Sequence, residues 1–149
     1  MSMDYRLDKT IAALYRVEKK NEVILPLFSC GVSAGFPSPA DDYIDRRLDL
    51  NELLIKHPAA TFFVRVAGDS MIGAGINDDD ILIVDRSVEP GHGKIVIVAV
   101  DGELTVKRLF RDGQVCRLVS ENPDYPSLDI TDDMSLEVWG VVTSVIHQL

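Results

Sequence analysis

The chain has 149 residues, of which 46% are hydrophobic and 26% charged, and this composition is typical of one globular domain with its own core. A net charge of −9 argues against a protein that holds nucleic acid by general electrostatics, because phosphate contacts need lysine and arginine. No apolar run approaches the length of a membrane span or of a signal peptide's hydrophobic region. Together with only two cysteines, Cys30 and Cys116, this predicts a cytoplasmic protein with reduced thiols and no membrane association.

The sequence before Thr61 indicates helices and a linker and gives no clear strand pattern. In "RLDKTIAALYRVEKKNE" the apolar residues Leu7, Ile11, Leu14 and Tyr15 recur at helical spacing, which predicts a weak amphipathic helix. The stretch "SCGVSAGFPSPADDY" is rich in Gly, Pro, Ser and Ala and indicates an extended linker. The next stretch, "LDLNELLIKHP", predicts a short helix closed by Pro58.

From Thr61 onwards the pattern is that of strands. Six runs rich in Val, Ile, Leu and Phe are separated by turn residues: "TFFVRVA", "DILIVDR", "KIVIVAV", "ELTVKRLF", "VCRLVS" and "LEVWGVVTSVI". The pair Asp101–Gly102 between two of these runs is a strong signal for a tight hairpin. No helical pattern separates the runs, so the sequence predicts a mainly antiparallel β domain with a mobile N-terminal arm.

Most groups that could carry chemistry have simpler explanations. The acidic run "NDDD" lacks the alternating ligands, central glycine and distal glutamate of a calcium loop, so it predicts a solvated turn. The histidines at 57, 92 and 147 do not lie in a recognisable triad motif, and the cysteines form no CxxC or Cys/His cluster. We therefore expect neither a metal site nor a cofactor.

A serine and a lysine remain. Ser70, in "AGDSM", is not part of a G-x-S-x-G nucleophile elbow, because Ile72 stands where that motif needs glycine; by itself Gly-Asp-Ser signals a turn. A lysine can take a serine's proton only when it is neutral, and its ordinary pKa is about 10.4. Burial lowers that value, so a lysine within an apolar strand is the candidate. Lys107 in "ELTVKRLF" fits, although most such lysines point to solvent, and Arg108 falls on the opposite face.

These residues together resemble a known group. The stretch "AGDSMIGAGINDDDILIVDRS", with Lys107 in "DGELTVKRL" 37 positions after Ser70, resembles the LexA/UmuD group of self-cleaving serine–lysine proteins. More narrowly, "GFPSPADDYIDRRLDLNELLIKHPAATFFVRVAGDSM" is similar to UmuD-type SOS mutagenesis proteins, which are accessory subunits of an error-prone DNA polymerase. The resemblance extends from about Ile24 to the C-terminus and includes "SENPDYP" and "EVWGVVTSVI".

The resemblance implies a catalytic site and a peptide bond that the chain cleaves in itself. Ser70 would attack a peptide bond of the chain's own arm, with Lys107 as general base and the backbone N–H groups of Asp69 and Ser70 as oxyanion hole. The family's cut falls directly before "GFPSP", which here places it between Ala34 and Gly35. Cys30–Gly31 is a second small-residue–glycine bond, and Cys-Gly is a scissile pair in relatives; the register favours Ala34–Gly35.

The resemblance also implies domains and partners. Residues 1–34 would be an arm removed by self-cleavage, and residues 35–149 a LexA/UmuD-like β domain that forms a homodimer and binds a UmuC-like polymerase. RecA filaments on single-stranded DNA would stimulate the cut, and no direct sequence-specific DNA binding is expected. Two departures stand out: the segment before "LPLFS" is longer than in the best-known relatives, and Asp79 replaces a common turn glycine.

Three alternatives belong to other classes. A LexA-like transcriptional regulator needs a winged helix-turn-helix head, whereas only 34 residues precede Gly35 and the charge is negative. Signal peptidases share the serine–lysine chemistry but need a membrane anchor. A polymerase-binding module with a dead catalytic pair would not need both Ser70 and Lys107.

Overall fold

The computed structural model describes residues 6–16, 24–28 and 44–149. Eleven strands are described within these ranges: β1 (Arg6–Leu7), β2 (Ile11–Arg16), β3 (Ile24–Phe28), β4 (Ile44–Asp49), β5 (Thr61–Val66), β6 (Ile81–Asp85), β7 (Ile95–Val100), β8 (Glu103–Asp112), β9 (Val115–Val119), β10 (Leu128–Asp129) and β11 (Leu136–Ile146). The chain divides into two compact units, Met1–Val17 with His57–Leu149, and Glu18–Lys56.

The larger unit is one mainly antiparallel sheet. Its strand order is β10-β9-β8-β7-β11-β6-β5-β2, and β1 adds to β8 as the parallel pairing. All six strands predicted after Thr61 are present, which confirms the mainly β fold. The hairpin prediction is also confirmed: Asp101 and Gly102, between β7 and β8, have φ angles of 48° and 81°, as a tight primed turn requires. Asp79 has a φ of 70°, which lies in the left-handed region that favours glycine.

The helix predicted near the N-terminus is wrong, because residues 6–16 form β1 and β2. Arg6 pairs with Glu103 of β8, and Ile11 pairs with Val66 of β5. Between the two strands Asp8 Oδ1 accepts the backbone N–H of Thr10 at 2.7 Å, a local turn that ends β1. A short helix is marginal by itself, so pairing with distant strands overrides the helical spacing. Whether the arm is mobile stays a prediction.

The core lies on both faces of the central strands. Along β7, Val96 and Val98 belong to one buried cluster, whereas Ile97 and Ala99 belong to the other. This alternation is what the period of a strand produces when both faces are covered, and it explains the continuous apolar run "IVIVAV". The sheet around β7 and β8 is therefore the most deeply buried part of the unit.

The smaller unit contains the antiparallel hairpin β3–β4 and a helix, α1 (Leu50–Leu54). The Asp49 side chain begins the helix by accepting the Asn51 N–H at 3.0 Å, so the short predicted helix is confirmed, although it ends four residues before Pro58. The predicted linker and the Ala34–Gly35 bond belong to residues 29–43, which lie outside the described residues. Of the helices in the described ranges, none is long and apolar enough to cross a membrane.

We predict that Gly140→Ala destabilises the sheet. Gly140 lies at a bulge of β11, where an added Cβ would stand 2.7 Å from Cγ1 of the buried Val84 and 3.1 Å from the carbonyl oxygen of Asp85. Overpacking of this kind should lower the free energy of unfolding in urea by about 1–3 kcal/mol. Gly91→Ala is the matched control, because an added Cβ there meets nothing within 4 Å. Equal stability of the two variants would contradict this packing account.

Candidate active site

Ser70 lies in the turn that follows β5. The turn begins at Gly68, which has a φ of 80° and donates its backbone N–H to Asp78 Oδ1 at 2.7 Å. Ser70 is only 2% exposed, and the next residue, Met71, is buried in the core with 1% exposure. A short 3-10 turn, Ile72–Ala74, continues the chain. The serine is therefore fixed at the end of a strand and shielded from bulk water, not displayed on a surface turn.

A second loop, formed by residues 121–125, holds this turn from outside. The Gly73 N–H donates to the Glu121 carbonyl at 2.8 Å, and Asn122 Nδ2 donates to the Asp69 carbonyl at 3.0 Å. The Tyr125 hydroxyl donates to Asp69 Oδ1 at 2.7 Å, and this hydrogen bond raises the pKa of Tyr125. An added Cβ at Gly73 would stand 2.7 Å from the Glu121 carbonyl oxygen, so the close approach requires glycine. The loop therefore fixes the backbone on both sides of Ser70.

The two backbone N–H groups predicted as an oxyanion hole belong to this turn. Within the described ranges, the N–H groups of Asp69 and Ser70 donate to no protein acceptor, whereas the Ile72 N–H donates to the Asp69 carbonyl at 3.2 Å. No hydrogen bond links Ser70 Oγ to Lys107 or to another described residue. The turn thus presents two adjacent donors beside a serine hydroxyl.

Lys107 lies on β8, opposite Val96 of β7, and its side chain is half-buried. Burial lowers the pKa of the Lys107 ammonium, and the negative charge of Asp8 opposes this shift without cancelling it. Arg108 is on the other face of the strand, where it pairs with Glu121 and donates to the Gly93 carbonyl at 2.6 Å. The two adjacent residues therefore have different surroundings: Arg108 forms an ion pair with a carboxylate, whereas Lys107 is partly removed from water.

Two connections join the Ser70 turn to the Lys107 strand. The first runs through β9. The last pair between β8 and β9 is Arg108 with Val119, and continuing this antiparallel register by one residue places Ser120 opposite Lys107. Ser120 is buried, and it precedes Glu121, whose carbonyl holds Gly73.

The second connection runs through the N-terminal segment. The Thr10 carbonyl accepts the Ala67 N–H at 2.8 Å, and Thr10 Oγ1 accepts the Val106 N–H at 3.3 Å. Ala67 precedes Ser70 by three residues, and Val106 is the neighbour of Lys107. The structure thus links the backbone elements that carry Ser70 and Lys107, which the sequence places 37 residues apart.

A cluster of His57, Asp85 and Ser87 was not expected from the sequence. His57 Nδ1 is 2.6 Å from Asp85 Oδ2 and 2.9 Å from Ser87 Oγ, and Ser87 also donates to Asp85 Oδ1 at 2.6 Å. Burial pushes the pKa of Asp85 upward, but hydrogen bonds from Ser87 and His57 outweigh it and lower the pKa. A catalytic triad needs serine and aspartate on opposite ring nitrogens, whereas here both contact Nδ1. The cluster therefore ties β6 to the turn before β5 and does not activate Ser87.

The acidic run and the other groups considered as possible sites have structural roles or lie outside the described residues. His147 Nδ1 pairs with the buried Asp80 at 2.5 Å, which gives the acidic run a structural role. The part of the chain that the structure describes has no group of three or more His, Cys, Asp or Glu side chains arranged to hold a metal ion. The candidate bonds Cys30–Gly31 and Ala34–Gly35 lie outside the described residues.

Comparison with known proteins identifies a family and several relatives. The model of the Peptidase S24-like family matches residues 26–143. Protein ImpA of Salmonella typhimurium is 48% identical over 126 residues, which cover 84% of this chain and 85% of that protein. Protein MucA of Escherichia coli is 46% identical over 120 residues, covering 80% and 82%. The LexA repressor of Paracidovorax citrulli is 34% identical over 127 residues, covering 85% of this chain but 56% of the repressor.

The family match includes β4 and the whole segment from Ser70 to Lys107, and the resemblance to the LexA/UmuD group is confirmed. The chain belongs to the Peptidase S24-like family.

Proposed function

We propose that the chain cuts itself between Ala34 and Gly35, with Ser70 as nucleophile and Lys107 as general base. The observation that carries this proposal is the desolvated Lys107 amine on a strand that Thr10 ties to the segment leading to a buried serine. Amide cleavage by a serine–lysine pair needs a neutral lysine within reach of a shielded serine, and burial of both Ser70 and Lys107 supports this proposal. Membership of a peptidase family agrees with it.

In the proposed reaction, neutral Lys107 accepts the proton of Ser70 Oγ while Oγ attacks the carbonyl carbon of Ala34. The negative oxygen of the tetrahedral intermediate accepts hydrogen bonds from the Asp69 and Ser70 backbone N–H groups. The C–N bond then breaks, and Lys107 returns the proton to the leaving amine of Gly35. Water hydrolyses the resulting ester, with Lys107 again as base, which releases the Ala34 carboxylate and restores Ser70.

The substrate in this proposal is tethered to the enzyme. The proposed scissile bond belongs to residues 29–43, which connect β3 to β4, so its delivery needs no affinity between separate molecules. The rate then depends on how often this connection occupies the site. A partner that stabilises the occupied arrangement would accelerate the cut, and we propose that RecA filaments on single-stranded DNA have this role.

The cellular role that we propose is that of a UmuD-like accessory subunit in SOS mutagenesis. Residues 35–149 would form a homodimer and support a UmuC-like error-prone polymerase in translesion synthesis in the cytoplasm. The relatives ImpA, SamA and MucA, at 46–48% identity over most of their length, support this role over that of a repressor. The net charge of −9 also disfavours direct DNA binding, which a gel shift with duplex DNA would test.

We predict that Lys107 titrates below the ordinary range of lysine and that Asp8→Asn lowers its pKa further. The Asp8 carboxylate favours the ammonium form, so removing its charge leaves burial as the dominant influence. NMR titration of the Lys107 side chain in the Ser70→Ala protein measures this directly. Asp101→Asn is the matched control, because Asp101 lines the same cavity but does not contribute to the Lys107 shift. An ordinary pKa for Lys107, or equal shifts in the two variants, would contradict the electrostatic account.

We predict that self-cleavage without RecA accelerates as pH rises towards about 10, because a larger fraction of Lys107 is neutral. Ser70→Ala and Lys107→Ala should each abolish it. Mass spectrometry of the large fragment should show a chain that begins at Gly35. Ala34→Trp should block the cut, and Cys30→Trp should leave it largely unchanged.

Three results would count against this mechanism. A bell-shaped rate profile centred near pH 7, or cleavage that persists in Lys107→Ala, would exclude lysine as the base. A fragment that begins at Gly31 would refute the assignment of the bond while leaving the catalytic pair in place.

We predict that the chain 35–149, made directly, restores damage-induced mutagenesis in cells that lack this protein even when it carries Ser70→Ala. The reason is that the peptidase step serves only to remove the arm. The full-length Ser70→Ala chain is the control and should not restore mutagenesis. If the fragment needs an intact Ser70, the proposed division between arm and domain is wrong.

A further inference from the structure

Thr10 contacts both of the chain segments that lead to the proposed catalytic residues. It is 6% exposed and lies in the turn between β1 and β2. Its carbonyl accepts the Ala67 N–H, and its hydroxyl lies near three groups: the Asp8 carboxylate, the Val106 N–H and, at 3.3 Å, the Thr105 hydroxyl. One residue of the arm therefore contacts both segments that carry the proposed catalytic pair.

The chemistry of the hydroxyl fixes the direction of these hydrogen bonds. A threonine hydroxyl has one proton and two acceptor lone pairs. Asp8 Oδ1, as a carboxylate oxygen, can only accept, so the Thr10 proton is committed to Asp8. The lone pairs then accept from the Val106 N–H and from the Thr105 hydroxyl. All the hydrogen-bonding positions of the Thr10 hydroxyl are thus occupied, and these bonds hold it in one orientation.

The edge of β8 explains why this contact matters. β1 pairs with β8 only at Glu103 and Leu104, and β9 begins its pairing opposite Arg108. The intervening Val106 N–H is buried and has no strand partner on that side, so the Thr10 hydroxyl supplies its acceptor. An unsatisfied buried N–H is costly, and β8 would have to shift to satisfy it elsewhere. Lys107 is the next residue and would shift with it.

We propose that Thr10 is a positioning residue for self-cleavage: it clamps the segment leading to Ser70 against the strand that carries Lys107. This role rests on the proposed function of that pair. Thr10 precedes the proposed cut, so the uncleaved chain contains the clamp and the product 35–149 lacks it. The arm is then part of the site that cuts it.

The test uses the full-length chain with three substitutions. Thr10→Val keeps the shape and the carbonyl contact to Ala67 but removes the hydroxyl, whereas Thr10→Ser retains the hydroxyl. Thr61→Val is the matched control, because Thr61 is a buried threonine (8% exposed) whose hydroxyl donates to the His57 carbonyl at 2.7 Å, at the opposite end of β5. The measurements are the self-cleavage rate across pH, the midpoint of thermal unfolding, and hydrogen exchange at the Val106 amide.

We expect Thr10→Val to slow self-cleavage by at least about tenfold at every pH, since small misplacements of reacting groups have effects of this size or larger. Exchange at the Val106 amide should accelerate, and Thr10→Ser should restore most of both. Thr61→Val should lower the unfolding midpoint about as much as Thr10→Val and leave the cleavage rate unchanged.

Two outcomes would overturn the proposal, and they are distinguishable. If the parent chain cuts itself and Thr10→Val cuts as fast, or Thr61→Val is equally slow, Thr10 has no positioning role and the proposed function stands. If the parent chain does not cut itself at all, with or without RecA on single-stranded DNA, the proposed function fails and the clamp fails with it.

Discussion

The proposed chemistry depends on the balance between burial and charge at the Lys107 amine. Burial in the sheet favours the neutral form, which alone can accept a proton from Ser70, and the Asp8 carboxylate favours the charged form. The net effect lowers the pKa. Lys107 differs from its neighbour because the side chains of a strand alternate between its two faces, so that Arg108 faces Glu121 and forms an ion pair with it. A sheet that did not bury one face of β8 would leave two ordinary surface cations.

The N-terminal segment has two relationships to this site. Residues 6–16 are structural, because β1 extends β8 and β2 forms the edge next to β5. Residues 29–43, between β3 and β4, contain the bond that we propose as substrate. A product without residues 1–34 would have β5 at the edge of the sheet in place of β2. In our proposals, self-cleavage therefore changes the edge of the domain and removes Thr10 as well as shortening the chain.

The sequence predicted local features well and distant ones poorly. The strands β5 to β9 and β11 carry apolar runs with turn residues between them, and the Asp101–Gly102 turn has its own chemical signal. The spacing of Ile11 and Leu14 wrongly predicted a helix, because their strand partners on β5 lie about fifty residues further along the chain. The Thr10–Val106 contact spans 96 positions and the His57–Asp85 pair 28, and neither separation leaves a local pattern. A buried lysine in a strand made Lys107 a candidate, and the resemblance to the LexA/UmuD group paired it with Ser70, whereas the contacts that hold their elements together required the fold.

The most direct test of the Ser70–Lys107 pair measures the reactivity of the serine itself. Mass spectrometry can follow the rate at which a small fluorophosphonate modifies Ser70 across a range of pH in the full-length chain that carries Ala34→Trp, in which we expect the cut to be blocked. Our account predicts a single ionisation in this rate, with a midpoint equal to the pKa of Lys107 measured by NMR in the full-length Ser70→Ala chain, and loss of the modification in Lys107→Ala. Modification of Ser70 that persists in Lys107→Ala, or a midpoint that differs from the lysine's own pKa, would contradict it.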